Sequence, residues 1–370
     1  MTNEVLPNLV NLQSAVNAAL AKLDEDDFAA RLWKKDVSLW QSGPTAQAHA
    51  SGEFGWLDLP AGMKSAVPDL LDLAQSIKED GYKQIVLLAL DESSLGALAL
   101  EQSLGRVSGY PELTIVDREG AVLGDAPTNP AGPANTIFVV SATEDELEVL
   151  PGLVELYERV RQERGDQAGD NFMAITRPGT ALEKVARELK FRAVFLNPPG
   201  ITGLYLALSY SGIVPAALAG YNVGEMLNRA AIMAEECRKP GLDNPGLHLG
   251  CIIGVASLPK RPGLSLMLAP AVESFGLWVD QLLAENIGRG LEPLDEALTN
   301  PRGIGRLVVS LQWSAQKDLP AEELLKHLEE TAHPVVRLRL KDLADLAAEF
   351  FRWEFAATVA AALPGLTSTP

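Results

Sequence analysis

The sequence predicts an α/β protein made of two successive units, each a parallel sheet flanked by helices. Three observations carry this expectation. Between residues 61 and 200, five short apolar runs alternate with helix-length segments, and the second half repeats the alternation less regularly. A chain of 370 residues, 47% apolar and 22% charged, can also bury the cores of two domains of ordinary size.

Residues 1 to 40 read as helical, because Val10, Leu12, Val16, Leu20 and Leu23 fall roughly on one face. The runs IVLLAL (85–90), LTIV (113–116), IFVV (137–140), FMAI (172–175) and AVFL (193–196) then have the length of buried strands. Helical crossovers between them imply parallel pairing, and unbroken apolar runs suit strands covered on both faces. Strands are expected again at Leu264 to Leu268, bounded by Gly263 and Pro270, at RLVVSLQW (306–313) and at VVRLRL (335–340). Helices are expected over 272–287, 321–331 and 342–363, with LDNPG (242–246) and PKRPG (259–263) as turn-rich joints. The expected organisation is an N-terminal helical segment (1–60), a first α/β domain (61–200) and a second with a C-terminal helix (201–370).

Net charge is -18, from 31 Lys plus Arg against 49 Asp plus Glu, a balance that repels phosphate backbones and anionic membranes. Nucleic acid and membrane are therefore poor partners. The apolar segment Leu343 to Leu363 is interrupted by Glu349, Arg352 and Glu354 and reads as a packing helix rather than a membrane span. The N-terminus MTNEVLPNLV carries no secretory pattern. Two cysteines, Cys237 and Cys251, and four scattered histidines, His49, His248, His327 and His333, have no metal-ligand spacing.

The stretch 263–290 draws attention to one carboxylate. Phe275, Trp278, Val279, Leu282 and Leu283 recur at three- and four-residue spacing, and Gly288 stands where the helix should stop. Gln281 and Glu285 are four apart and share a face. An acid in the last turn sits against the negative end of the helix dipole, which favours its neutral form. An acid near a helix end is more often simply solvated.

The string Gln281 to Arg289, Q-x-x-A-E-x-x-G-R, is similar to Q-x-x-A-E-S-T-G-K of the phosphoglucose isomerase (glucose-6-phosphate isomerase) part of bacterial bifunctional transaldolase/phosphoglucose isomerase proteins. RLWKKDVSLW (31–40), GWLDLP (55–60), the run 176–220, NPGLHLG (244–250), SFGLWVDQLLAE (274–285) and AEFFRWEFAATVAAAL (348–363) extend the resemblance in order. The chain resembles that isomerase half standing alone. The resemblance implies two sugar isomerase (SIS) type domains of flavodoxin-like architecture, a homodimer, a cytoplasmic location, a sugar phosphate or related carbohydrate as ligand, and no metal or organic cofactor. It makes Glu285 the base, with Gln281 beside it and Arg289 at the family's lysine.

The family's site motifs are altered here. Its loop G-M-G-G-S-S reads Ala89, Leu90, Asp91, Glu92, Ser93, Ser94, so two glycines that allow close backbone approach have become acids. Ser93 and Ser94 survive as substrate-binding candidates, although serines opening a helix are usually caps. The phosphate clamp S-x-S-G-T-T reads Ser141, Ala142, Thr143, Glu144, Asp145, Glu146, a capping box with Thr143 as N-cap that places acids where a phosphate should sit. Ser141 and Thr143 are the remaining candidates there. Leu204 replaces the arginine that steadies the enediolate, and the chain's end, LPGLTSTP, offers no ring-opening lysine. The expected function is a family protein with lost or much reduced isomerase activity, a non-catalytic paralogue or ligand-binding subunit. The alternatives are an active isomerase of glucose 6-phosphate and fructose 6-phosphate with Glu285 as base, and an enzyme that uses Asp91, Glu92, Glu144 and Glu285 as a carboxylate cluster on a neutral or cationic substrate.

Overall fold

The computed structural model describes residues 5–40, 53–89, 93–117, 119–124, 130–142, 150–201, 203–259, 261–294, 305–316 and 318–367. In chain order the elements begin with β1 (Val5–Asn8), α1 (Gln13–Glu25), α2 (Phe28–Trp33), α3 (Leu59–Gly62) and α4 (Val67–Glu79). They continue with β2 (Gln84–Ala89), α5 (Ser93–Leu104), β3 (Glu112–Val116), β4 (Val122–Leu123), β5 (Thr136–Ser141), α6 (Leu150–Arg164), β6 (Phe172–Thr176), α7 (Ala181–Glu188), β7 (Ala193–Leu196) and α8 (Tyr210–Leu218). The rest is α9 (Val223–Glu236), α10 (Pro245–Ala256), β8 (Leu264–Leu268), α11 (Phe275–Ile287), β9 (Leu307–Trp313), α12 (Leu319–Glu330), β10 (Val335–Leu340) and α13 (Leu346–Thr367). Every strand expected from apolar runs is present.

The chain folds into two compact units, Asp58–Glu225 and, from both ends of the chain, Met1–Leu57 with Met226–Pro370. The sequence expectation placed the limits at 60 and 200. The division differs because the first residues are structurally part of the C-terminal half: β1 pairs antiparallel with β10, Val5 opposite Leu338 and Asn8 opposite Val335. A strand thus stands where a helix was expected. Its Pro7 lies in an edge strand, where a missing N–H is tolerated. The helical face is as expected from Val16 to Leu23, whereas Val10 precedes α1 in a short turn and is exposed.

In the Asp58–Glu225 unit the sheet order is β4-β3-β2-β5-β6-β7. All neighbours are parallel except β4, which returns antiparallel to β3. The strand β6 is buried along its whole length, and Phe138, Phe172, Tyr157 and Phe191 form a ring cluster between sheet and helix on one face.

In the other unit the order is β1-β10-β9-β8, with β8, β9 and β10 parallel. The alternation in VVRLRL has a direct cause. Val336, Leu338 and Leu340 are buried on one face, while Val335, Arg337 and Arg339 share the other with α12. There Arg337 bridges Glu322 at 2.8 Å and Glu329 at 3.1 Å. The helix α13 is the unit's core: Phe350 and Trp353 meet Phe275 and Trp278 of α11, and α10 lies along its other side.

Candidate functional site

An open parallel sheet binds ligands outside the carboxyl ends of its strands, at the point where the strand order reverses. In the Asp58–Glu225 unit that point lies between β2 and β5, because β3 is added on one side of β2 and the chain then crosses back to place β5 on the other. The last residues of these strands, Ala89 and Ser141, are paired neighbours. Topology thus puts Ser141 at the expected ligand edge.

A cluster of buried polar side chains surrounds it. The Ser141 hydroxyl donates to Ser211 Oγ at 3.2 Å, and Asn197 Nδ2 donates to the same oxygen at 3.0 Å. Asn197, which follows β7, also accepts from the Tyr210 N–H at 3.1 Å through Oδ1, and its own N–H donates to Thr176 O at 2.8 Å. Ser209 caps α8 by accepting from the Ser211 N–H at 3.2 Å. One strand over, Thr176 and Thr180 hydroxyls share a hydrogen bond at 2.8 Å, and Thr180 caps α7 by accepting from the Glu183 N–H. These hydroxyls and the amide are almost fully buried and hold one another beneath the edge, fixing the strand ends that shape it.

Asn197 is the keystone of this network, being 2% exposed and tying β6, β7 and α8 together. Asn197→Ala leaves the Tyr210 N–H and the Ser211 hydroxyl short of a partner, an expected loss of about 1 to 2 kcal/mol in urea unfolding.

The sequence candidates fall as follows. Ser94 is buried in the first turn of α5, which Ser93 opens. Thr143, Glu144, Asp145, Glu146, Asp91 and Glu92 lie outside the described residues. Leu204, in the turn Gly203–Leu206 packed near α5, is 1% exposed. In the other unit, Gln281 Nε2 donates to Glu285 Oε1 at 3.3 Å on an exposed face of α11, and Glu285 lies in the last turn before the cap at Gly288, whose φ is 69°. Arg289 pairs with Glu292 at 2.8 Å and donates to Arg261 O at 2.9 Å, so its guanidinium is anchored to the loop beside β8.

Sequence reasoning gave no role to Asn197, Ser209, Ser211 or Arg177, the half-buried cation that follows Thr176 at the same sheet edge. The link of Asn197, Ser209 and Ser211 to Ser141 is made by crossovers and leaves no local pattern. The cysteines are packing groups: burial pushes the Cys237 thiol up to about 12, and Cys251 is shifted the same way. Among the described residues no group of three or more His, Cys, Asp or Glu could hold a metal ion, and no helix is long and apolar enough to cross a membrane.

No protein-family model matches the chain. The glucose-6-phosphate isomerase of Carboxydothermus hydrogenoformans is 26% identical over 328 residues, covering 84% of this chain and 69% of that protein. The corresponding isomerase of Desulfitobacterium hafniense is 24% identical over 293 residues, covering 75% of this chain but only 52% of its own length. The chain therefore spans roughly half to two thirds of such relatives. Among solved structures, a hypothetical protein from Thermus thermophilus superposes with a TM-score of 0.72 at 17% identity, covering 97% of this chain and 94% of that one. A glucose-6-phosphate isomerase from Chlamydia trachomatis gives 0.67 at 14%, covering 94% and 81%. The chain is thus a sequence relative of the glucose-6-phosphate isomerases, and its fold is the SIS-type α/β architecture of the phosphosugar isomerases.

Proposed function

We propose that the chain keeps the phosphosugar isomerase scaffold while its glucose 6-phosphate/fructose 6-phosphate isomerase activity is lost or much reduced, leaving a non-catalytic paralogue or carbohydrate-binding subunit. The observation that carries this reading is Leu204. The resemblance gives its position to an arginine that steadies the enediolate, and a buried aliphatic chain offers no donor there. Removing one preorganised donor from a developing oxyanion costs about 100- to 1,000-fold in kcat. The acids of 91–92 and 144–146, where the family has glycines and a phosphate clamp, point the same way. The homodimer and cytoplasmic location implied by the resemblance belong to the same proposal.

A second reading, an active isomerase, is favoured by one pair of observations. Glu285 stands on an exposed face of α11 with Gln281 beside it, and Arg177 brings a cation to the sheet edge at which phosphate would be expected. The test is conversion of fructose 6-phosphate to glucose 6-phosphate, coupled to a dehydrogenase, with Glu285→Gln in parallel. Equal background rates in both proteins are expected. Turnover that disappears in Glu285→Gln would make the protein an isomerase with Glu285 as its base.

A further inference from the structure

A cavity of about 390 Å³ opens at the carboxyl ends of β9 and β10, beside the start of α12. It belongs to the unit that does not contain Ser141, and it is independent of the reading above. Its volume lies within the range of small-molecule sites, and its place is the side of a parallel sheet on which ligands bind. The residues that matter are Gln312, Trp313, Ser314, Asp318, Glu322 and Arg339.

Gln312 is the most buried of them, at 8% exposure. Its Nε2 donates to Ser310 Oγ at 2.9 Å, which fixes the carboxamide at the cavity wall. The carboxamide lines the cavity and can both donate to and accept from a ligand hydroxyl. Trp313 adds a large aromatic surface at the end of β9. Among the described residues Arg339 pairs with Glu322 at 3.4 Å, and Glu322 is engaged more closely by Arg337 at 2.8 Å. Most of the Arg339 donors therefore remain available among the described residues.

The charges select the ligand's chemistry. Among the described residues, Asp318 and Glu322 are offset by Arg339 in the lining and by Arg337, which bridges Glu322, so neither sign of charge is in excess. A phosphate finds no excess cation there, because Glu322 already engages both Arg337 and Arg339. A cationic ligand would meet Arg339. An uncharged polyol meets no repulsion, and its hydroxyls can both donate to carboxylates and accept from amide and guanidinium groups. A sugar ring also presents an apolar face to an indole. We propose that this cavity binds an uncharged monosaccharide, with its ring against Trp313 and its hydroxyls on Gln312, Glu322 and Arg339.

The test uses the full chain, titrated calorimetrically and by saturation-transfer NMR with glucose, fructose, mannose, galactose and glucose 6-phosphate. At least one neutral hexose should saturate at millimolar concentration, with the phosphate ester binding more weakly. Arg339→Ala and Trp313→Ala should each weaken that sugar about tenfold or more. The Arg339 side chain is 43% exposed, so this variant should fold, as circular dichroism can verify. Ser141→Ala, at the other sheet, should leave the affinity unchanged. The proposal is overturned if no neutral sugar saturates, if glucose 6-phosphate binds more tightly, or if Arg339→Ala has no effect. Binding that is lost in Ser141→Ala and kept in Arg339→Ala would overturn it too, by assigning the sugar to the first sheet.

Discussion

Gly250→Ala is expected to destabilise the chain by about 3 kcal/mol, a fall in Tm of roughly 6 to 12 °C. A Cβ on Gly250 would stand 2.6 Å from both Ala356 O and Val359 Cβ on α13. One of those atoms is backbone, so no rotamer change relieves the contact. Gly246, one turn earlier on α10, meets Phe355 Cδ1 at 2.7 Å in the same way, and the two helices approach as closely as they do because this stripe has no side chains. Residues 348 to 363 of α13 are buried, which blocks its retreat. Gly152→Ala in α6 is the control. Among the described residues nothing lies within 4 Å of a Cβ there, so helix propensity alone should make it neutral or stabilising by up to about 1 kcal/mol. Equal effects of the two substitutions in thermal unfolding would contradict the packing described for α10 and α13.

Glu354→Leu is expected to stabilise the protein at neutral pH by about 1 to 3 kcal/mol. Glu354 is fully buried on α13, and neither carboxylate oxygen has a hydrogen-bond partner among the described residues. Desolvation therefore holds its carboxyl well above the ordinary 4.5 and keeps it protonated. The sign of the pH dependence follows. Above pH 4.5 the unfolded carboxyl loses its proton while the folded one keeps it, so the folded state binds more protons and stability falls as pH rises through this window. The gain from Glu354→Leu should accordingly be larger at pH 7 than at pH 4.5. Urea unfolding at the two pH values reads it. A destabilised variant would mean that the carboxyl has a partner that holds it in place.

The strands were legible because both sheets are largely parallel and doubly covered, which writes each strand as an unbroken apolar run such as IFVV or FMAI. The pair Gln281 and Glu285 was legible for a similar reason, since helical spacing alone brings them within 3.3 Å. β1 was not legible: VLPN is short, carries a proline and is made a strand only by β10, more than 300 residues away. The polar cluster shows the same limit. Ser141 and Ser211 are 70 residues apart and meet because the crossover past β2 returns the chain to the sheet edge. Ser141 could be suspected from its position after an apolar run. Its partners are set by tertiary topology, which no local pattern encodes.

Whether the scaffold still accepts a sugar phosphate is settled most directly by titrating the purified chain with fructose 6-phosphate in a calorimeter. No saturable heat at the first sheet's site is predicted up to millimolar ligand, with Ser141→Ala indistinguishable from the parent chain. A micromolar Kd that is lost in Ser141→Ala would contradict the central claim, because it would mean that the edge between β2 and β5 still holds a phosphate dianion despite its acidic loops.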